Sequence, residues 1–279
     1  MWKRHHKPRS DRWDFRRLVT VVTITHLSTF LHIEPRQCVS IMGAGGKSTL
    51  MHRLTDELIV LGCTVVLSST TNYHRPQGLQ ADQILLTRNN PQWPEQLREL
   101  ARRWNRLLVL HHDLGEGMVK GIDVAAIRKI HEQIPDAVVI VKTDGARKRL
   151  FKAPNESEPV IPPWSKVCIS VVDLSILGHP LTSDLVHRPE RVATLTGLSL
   201  GAPVTPQAVG TVLTHPQTYI PKIPQGAKRV VYISHATSPA DLERAVAIAA
   251  ALDPRGVDHV LTGDTPTGTF YELLNRVAR

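Results

Sequence analysis

Three stretches carry residues whose types and spacing could do chemistry. The first is Val39-Ser40-Ile41-Met42-Gly43-Ala44-Gly45-Gly46-Lys47-Ser48-Thr49-Leu50, an apolar run, a glycine-rich turn, then Lys-Ser-Thr opening an amphipathic segment. That order predicts a strand, a phosphate-binding loop and a helix N-terminus. Glycines let backbone N–H groups converge on phosphate oxygens without Cβ clashes, the helix dipole adds partial positive charge, and Lys47 adds a full one. Gly43, Ala44, Gly45, Gly46, Lys47, Ser48 and Thr49 would then hold nucleotide phosphates, with the Ser48 hydroxyl on a phosphate-bound magnesium ion. The full G-x-x-x-x-G-K-[ST] pattern wants a glycine where Ile41 stands, so the match is partial. A glycine turn capping an ordinary helix is the plainer alternative. Lys47 is expected to face ligand and not core, so Lys47→Ala should weaken nucleotide binding and leave the fold intact.

The second stretch is the polar segment 69–76, Ser-Thr-Thr-Asn-Tyr-His-Arg-Pro, which follows an expected buried strand at 63–68. The C-terminal ends of strands are where doubly wound sheets bind ligands. Thr70 and Thr71 could hold magnesium through water or orient an attacking group; a hydroxyl-rich strand end accounts for the same letters. The third stretch, 137–145, reads as a buried strand ending in Asp144-Gly145. A carboxylate there can reach a magnesium ion beside Ser48, and its position about 100 residues after the glycine loop strengthens the match.

Four cations follow within six residues, Arg147, Lys148, Arg149 and Lys152. They suggest a second anionic group near the nucleotide phosphates, or a solvated charge run. His187, Arg188 and Glu190 could clamp an anionic substrate and supply a general acid or base. Helix capping and surface ion pairs explain them equally. His111-His112-Asp113 is a lesser metal candidate.

These residues need elements to position them. Apolar runs predict strands at 18–25, 38–42, 63–68, 83–86, 107–110, 137–141, 167–172, 229–233 and 259–261. Helical spacing predicts segments at 26–33, from Lys47 to Leu61, and at 95–104, 123–133, 188–196, 206–214, 239–251 and 267–278. Strands alternating with helices argue for an α/β fold, a mainly parallel sheet with helices on both faces.

The chain has 279 residues, 42% of them apolar, and a formal charge of +9. Residues 1–17 hold seven Lys or Arg against two Asp, leaving that arm +5 and the rest of the chain only +4. The arm is expected to be disordered, and the mildly basic body suits an anionic ligand. Residues 18–279 are expected to form a single α/β nucleotide-binding domain with a candidate substrate-binding half from about residue 155. Cys38, Cys63 and Cys168 show no C-x-x-C spacing, so neither zinc nor a disulfide framework is suggested, and a reducing cytoplasm fits. Arg16-Arg17 has the look of an export signal, but polar residues break the following stretch and no cleavage site follows. No stretch approaches the roughly 20 apolar residues of a membrane span.

The shortened G-x-G-G-K-S-T loop resembles those of Mur-type ligases and of some metallochaperone NTPases. Taken together, Gly43 to Thr49, Thr70-Thr71, Asp144-Gly145-Ala146-Arg147, Lys152-Ala153-Pro154, Glu158 to Pro162 and His187-Arg188-Pro189-Glu190 resemble the YqeC family of selenium-dependent hydroxylase accessory proteins. The resemblance implies a P-loop NTPase-like fold and a cytoplasmic role in molybdenum-hydroxylase maturation. It implies as partners a nucleotide, a molybdopterin-type cofactor, and the hydroxylase or its maturation proteins. Lys47, Asp144, Thr70 and Thr71 would be catalytic, Ser48 and Asp144 would hold Mg2+ with ATP or another nucleoside triphosphate, and Arg147, Lys152, Glu158, His187, Arg188 and Glu190 would face a second substrate.

Two departures from the family pattern matter. Family members usually carry E-A-D-G where this chain has Lys142-Thr143-Asp144-Gly145, so a cation replaces one acid. Many relatives also have an N-K-x-D-like segment where Ser234-His235-Ala236-Thr237 stands. Without its carboxylate no acceptor pair faces guanine, and ATP or another nucleotide is at least as fitting as GTP. A nucleotide-binding chaperone without turnover is the rival reading. Nucleic-acid binding through the basic arm is a poorer one, and no membrane partner is expected.

Overall fold

Leucine and β-branched runs bounded by turn residues form the strands of a computed structural model that describes residues 19–74 and 81–275. The basic arm, Arg75 and Pro76 lie outside the described residues. In chain order the strands are β1 (Val19–Ile24), β2 (Cys38–Gly43), β3 (Val65–Ser69), β4 (Tyr73–His74), β5 (Gln83–Leu86), β6 (Arg106–Leu110), β7 (His112–Gly115) and β8 (Met118–Lys120). They continue with β9 (Val138–Lys142), β10 (Phe151–Lys152), β11 (Val167–Asp173), β12 (Val186–His187), β13 (Lys228–Ser234), β14 (His259–Asp264) and β15 (Thr269–Asn275). The helices are α1 (Leu27–Phe30), α2 (Lys47–Val60), α3 (Trp93–Ala101), α4 (Val124–Gln133), α5 (Pro189–Thr196), α6 (Pro206–Thr214) and α7 (Pro239–Ala250).

Among the described residues one ten-stranded sheet runs in the order β1-β15-β14-β13-β11-β2-β9-β3-β6-β5. Every pairing from β14 to β5 is parallel, and only β15 runs against its neighbours. This is the α/β, mainly parallel architecture of a P-loop NTPase-like fold. Strand β2 lies between β9 and β11, so the loop after β2 opens beside the ends of both.

Alternation along the central strands sends successive side chains into different cores. Val39, Ile41, Val138 and Ile140 pack with Leu27 and Leu31 of the α1 region and Leu50, Leu54 and Leu58 of α2. Cys38, Val139 and Val141 pack against Trp93 and Leu97 of α3 and Ile127 and Ile130 of α4. Met42, Cys168, Val172 and Ile233 meet Val192 of α5, Val209 and Val212 of α6 and Ile248 of α7. Each fully buried aliphatic side chain contributes about 1.5–3 kcal/mol against exposure, which fixes the rigid strand ends from which the loops spring.

The helix expected at 267–278 is instead strand β15, with residues 276–279 outside the described residues. Asp264, Thr265, Pro266, Thr267 and Gly268, the last at φ +73°, reverse the chain into an antiparallel hairpin with Asp264 opposite Thr269. Phe270 is then fully buried, and β1 closes the sheet edge against β15. The pairing partner overrides the local helical spacing.

Among the described residues two small sheets accompany the main one. Strands β4, β8 and β7 form the first, and β10 pairs with β12 in the second.

Candidate active site

The glycine loop is shaped by its neighbours. At Gly43, φ +95°, an added Cβ would lie 2.1 Å from the Val171 carbonyl oxygen, and at Gly45, φ +70°, 2.3 Å from the Asp173 Cβ. No side chain larger than hydrogen fits either position while β11 stays where it is. Gly46, φ +101°, is the N-cap of α2; no side chain caps this helix and its first turn carries no acid. Helices α4, α6 and α7, by contrast, are capped by Asp123, Thr205 and Ser238. Among the described residues the Gly45 and Gly46 amides have no acceptor, so α2 presents open donors and the positive end of its dipole to the cleft above.

Lys47 departs from expectation. It is 5% exposed and donates to Asp144 Oδ1 at 2.5 Å and to the Gly43 carbonyl. The register explains it: Ile41 pairs with Lys142, so the ends of β2 and β9 lie side by side and Asp144 projects beneath the loop. Asp144 Oδ2 accepts from the Gly43 amide at 3.0 Å and meets Lys152 Nζ at 2.9 Å.

The pairing continues outward. Lys152 meets Glu158 Oε2 at 2.7 Å and donates to the Gly145 carbonyl at 2.6 Å, and Glu158 Oε2 meets Arg188 Nη1 at 3.0 Å. Lys47, Asp144, Lys152, Glu158 and Arg188 thus form a chain of alternating charge from the loop floor to the cleft wall. Burial alone would raise the Asp144 carboxyl, but Lys47 and Lys152 outweigh it and hold it below the ordinary carboxylate range. Glu158 is held down in the same way by Lys152 and Arg188 against its burial. Burial pushes the Lys47 ammonium down, opposed by Asp144. Burial, then the charge of Lys47, brings Lys142 down to about 7.

A cleft of about 1310 Å³ lies over these groups. It brings together Gly45, Gly46, Lys47, Ser48, Thr49, Thr71, Arg147, Glu158, His187 and Arg188 of the expected site residues. Gly43, Ala44, Asp144 and Lys152 are buried behind it. Thr70 lies outside the lining and donates to the Val160 carbonyl at 3.0 Å. Glu190 is exposed in the first turn of α5, also outside the lining. His111 and His112 meet edge-on with ring centroids 4.9 Å apart, but His111 bonds Thr87 at 3.1 Å and Asp113 accepts from the Gly115 amide at 2.8 Å. Among the described residues no cluster of three His, Cys, Asp or Glu could hold a metal ion.

Several lining residues were not singled out as site residues from the sequence. Asp173, at the end of β11, borders the loop and is bonded by His235 Nδ1 at 2.9 Å and by Ser175. Its signal was available, since β11, like the 137–144 stretch, is an apolar run ending in an acid. Glu116, Gly117 and Met118, at the turn between β7 and β8, line the cleft too; a Gly-Glu-Gly hairpin tip says nothing of where it folds. In the segment Ser234 to Thr237, Ser234 Oγ donates to the Gly45 carbonyl at 2.8 Å, while Thr237 and Ser238 bond the nearby carboxylate of Asp241 as the cap of α7.

The YqeC protein family matches residues 39–190, a span that contains the glycine loop, Asp144, the basic turn and Arg188. The chain belongs to the YqeC family. It is also 28% identical over 231 residues to the uncharacterized protein YqeC of Escherichia coli (strain K12), covering 81% of this chain and 86% of that protein. No helix among the described residues is long and apolar enough to cross a membrane.

His187, the family-region histidine in the cleft wall, carries a testable electrostatic signature. Burial, then the charges of Arg188 and Lys152, pushes its imidazole down to about 4. A base with a folded pKa below its unfolded value binds fewer protons when folded, so its stabilising contribution falls as pH drops from about 6.5 toward 4. We expect the His187 ring resonances in NMR to keep neutral-imidazole shifts from pH 8 down to about 5. Titration near 6.5 would mean that the ring is not buried beside the two cations as described.

Proposed function

We propose that this chain is a magnesium-nucleotide-dependent accessory protein in the maturation of a selenium-dependent molybdenum hydroxylase, acting by nucleotide hydrolysis or by phosphate or nucleotide transfer during cofactor handling in the cytoplasm. The observation that supports it best is the Lys47–Asp144 pair beneath an uncapped helix N-terminus in a cleft of about 1310 Å³. Lys47 and the open loop amides suit the phosphates of ATP or another nucleoside triphosphate. Ser48, in the cleft wall, and Asp144 suit Mg2+ once Lys47 has exchanged the carboxylate for phosphate. The metal would supply charge neutralisation on the phosphate oxygens. Thr71 would then orient the attacking side, and Arg147, His187 and Arg188 would hold the second substrate, a molybdopterin-type cofactor in this reading.

A second reading, a nucleotide-binding chaperone without significant turnover, is favoured by one observation. Both Asp144 oxygens are engaged by buried lysines, and a third buried lysine, Lys142, ends β9 two residues before it. A thermal-shift panel of nucleoside tri- and diphosphates, with and without magnesium, tests both, because ligands of the folded state raise its unfolding temperature. The expected result is a magnesium-dependent rise with one triphosphate. Steady-state hydrolysis of that triphosphate supports the enzyme, and its absence the chaperone. No rise with any nucleotide overturns both.

A further inference from the structure

The cleft has two cationic walls on different elements. One is the glycine loop with Lys47, which leads into α2 on the face of the sheet packed by Leu50, Leu54 and Leu58. The other is the turn Arg147-Lys148-Arg149, which leads into β10, where Phe151 packs with Val186, Val192 and Val209 on the opposite face. Strand β10 pairs with β12 so that Phe151 lies opposite Val186 and Lys152 opposite His187. This short ladder carries Arg188 alongside the basic turn.

Both sides of this second wall are braced from beneath. Lys152 Nζ donates to the Gly145 carbonyl at 2.6 Å and closes the turn, and Glu158 holds Arg188 at 3.0 Å. Arg147 and Lys148 are exposed, free of the packing constraints on the buried lysines, and Arg149 is half-buried in the cleft wall. Arg147, Lys148 and Arg149 line the wall with no ion-pair partner among the described residues, Arg188 beside them is held by Glu158, and an anionic ligand offsets the repulsion among the unpaired charges. Arginine side chains recognise phosphate oxygens bidentately. One drug-sized ligand typically fills about 300–1,000 Å³, and this cleft of about 1310 Å³ exceeds that.

We infer that the wall formed by Arg147, Lys148, Arg149 and Arg188 binds the phosphate group of a second, phosphorylated small molecule, held opposite the glycine loop. Simultaneous occupancy by nucleotide rests on the function proposed above; the second phosphate site does not. It is tested with labelled inorganic pyrophosphate in equilibrium dialysis against the full chain at physiological salt. The wild-type protein should bind two pyrophosphates per chain. Lys47→Met should bind one, and Arg147→Ser/Lys148→Ser, whose exposed side chains leave the packed core untouched, should also bind one with at least tenfold loss at the other site. Saturating ATP should displace one pyrophosphate from the wild type and none from Lys47→Met.

Two sites of unchanged affinity in Arg147→Ser/Lys148→Ser, or a single wild-type site removed by Lys47→Met, would overturn the inference. If ATP displaces nothing from the wild type while the Arg147→Ser/Lys148→Ser variant still loses one pyrophosphate, the nucleotide reading fails and the second phosphate site stands.

Discussion

Asp144→Ala should lower the unfolding free energy by about 3–5 kcal/mol, the usual cost of removing one member of a buried ion pair. The carboxylate has no exposed surface and joins two lysines that are themselves buried, at 2.5 and 2.9 Å. Without it two ammonium groups remain away from water, one holding the Gly43 carbonyl and the other Glu158 and the Gly145 carbonyl. The Gly43 amide loses its acceptor as well. The pH dependence has a definite sign: a carboxyl with a lowered folded pKa stabilises above its unfolded pKa, and that contribution is lost as pH falls through the folded value. Urea denaturation of both proteins at neutral pH measures the effect. A loss under about 1 kcal/mol would mean that the pair is not buried as described.

Lys47→Met should reduce nucleotide affinity at least tenfold, about 1.4 kcal/mol or more, because it removes the full charge from the one wall that also carries open helix amides. The same substitution should cost about 1–3 kcal/mol of stability. That cost is smaller than for Asp144→Ala, since Asp144 keeps Lys152 and the Gly43 amide and the methionine refills the aliphatic volume. An exposed lysine, as expected from the sequence, would have cost nothing. Calorimetric titration with Mg-ATP beside urea denaturation separates the two effects, and unchanged affinity in a folded variant would remove the loop from the nucleotide reading.

The difference between those two variants reflects what kind of information each residue carries. Gly43, Gly45 and Gly46 were legible because a tight loop over a neighbouring strand favours glycine at positive φ, and that demand is written in three of four successive positions, with Lys47 directly after them. Asp144 was legible as an acid at the end of an apolar strand. That Lys47 is buried against it was not, because it depends on β9 lying beside β2, and the two strands come together from opposite sides of helices α2, α3 and α4 in the chain.

The amino-acid sequence by itself determined the α/β alternation, the helices and the main-sheet strands through β14, the glycine loop and the family, since hydrophobic period, turn residues and short motifs are local properties; the short strands β4, β7, β8, β10 and β12 carry no such period and were not legible. Tertiary structure alone decided which groups face each other. It turned residues 269–275 into an antiparallel strand, because Phe270 gains a core and the backbone gains partners on both β1 and β14. It carried Asp173 and the β7–β8 turn to the cleft and left Thr70 and Glu190 outside its lining. It linked Lys47 to Arg188 through alternating charges, because buried ions persist only where the fold supplies each with a partner.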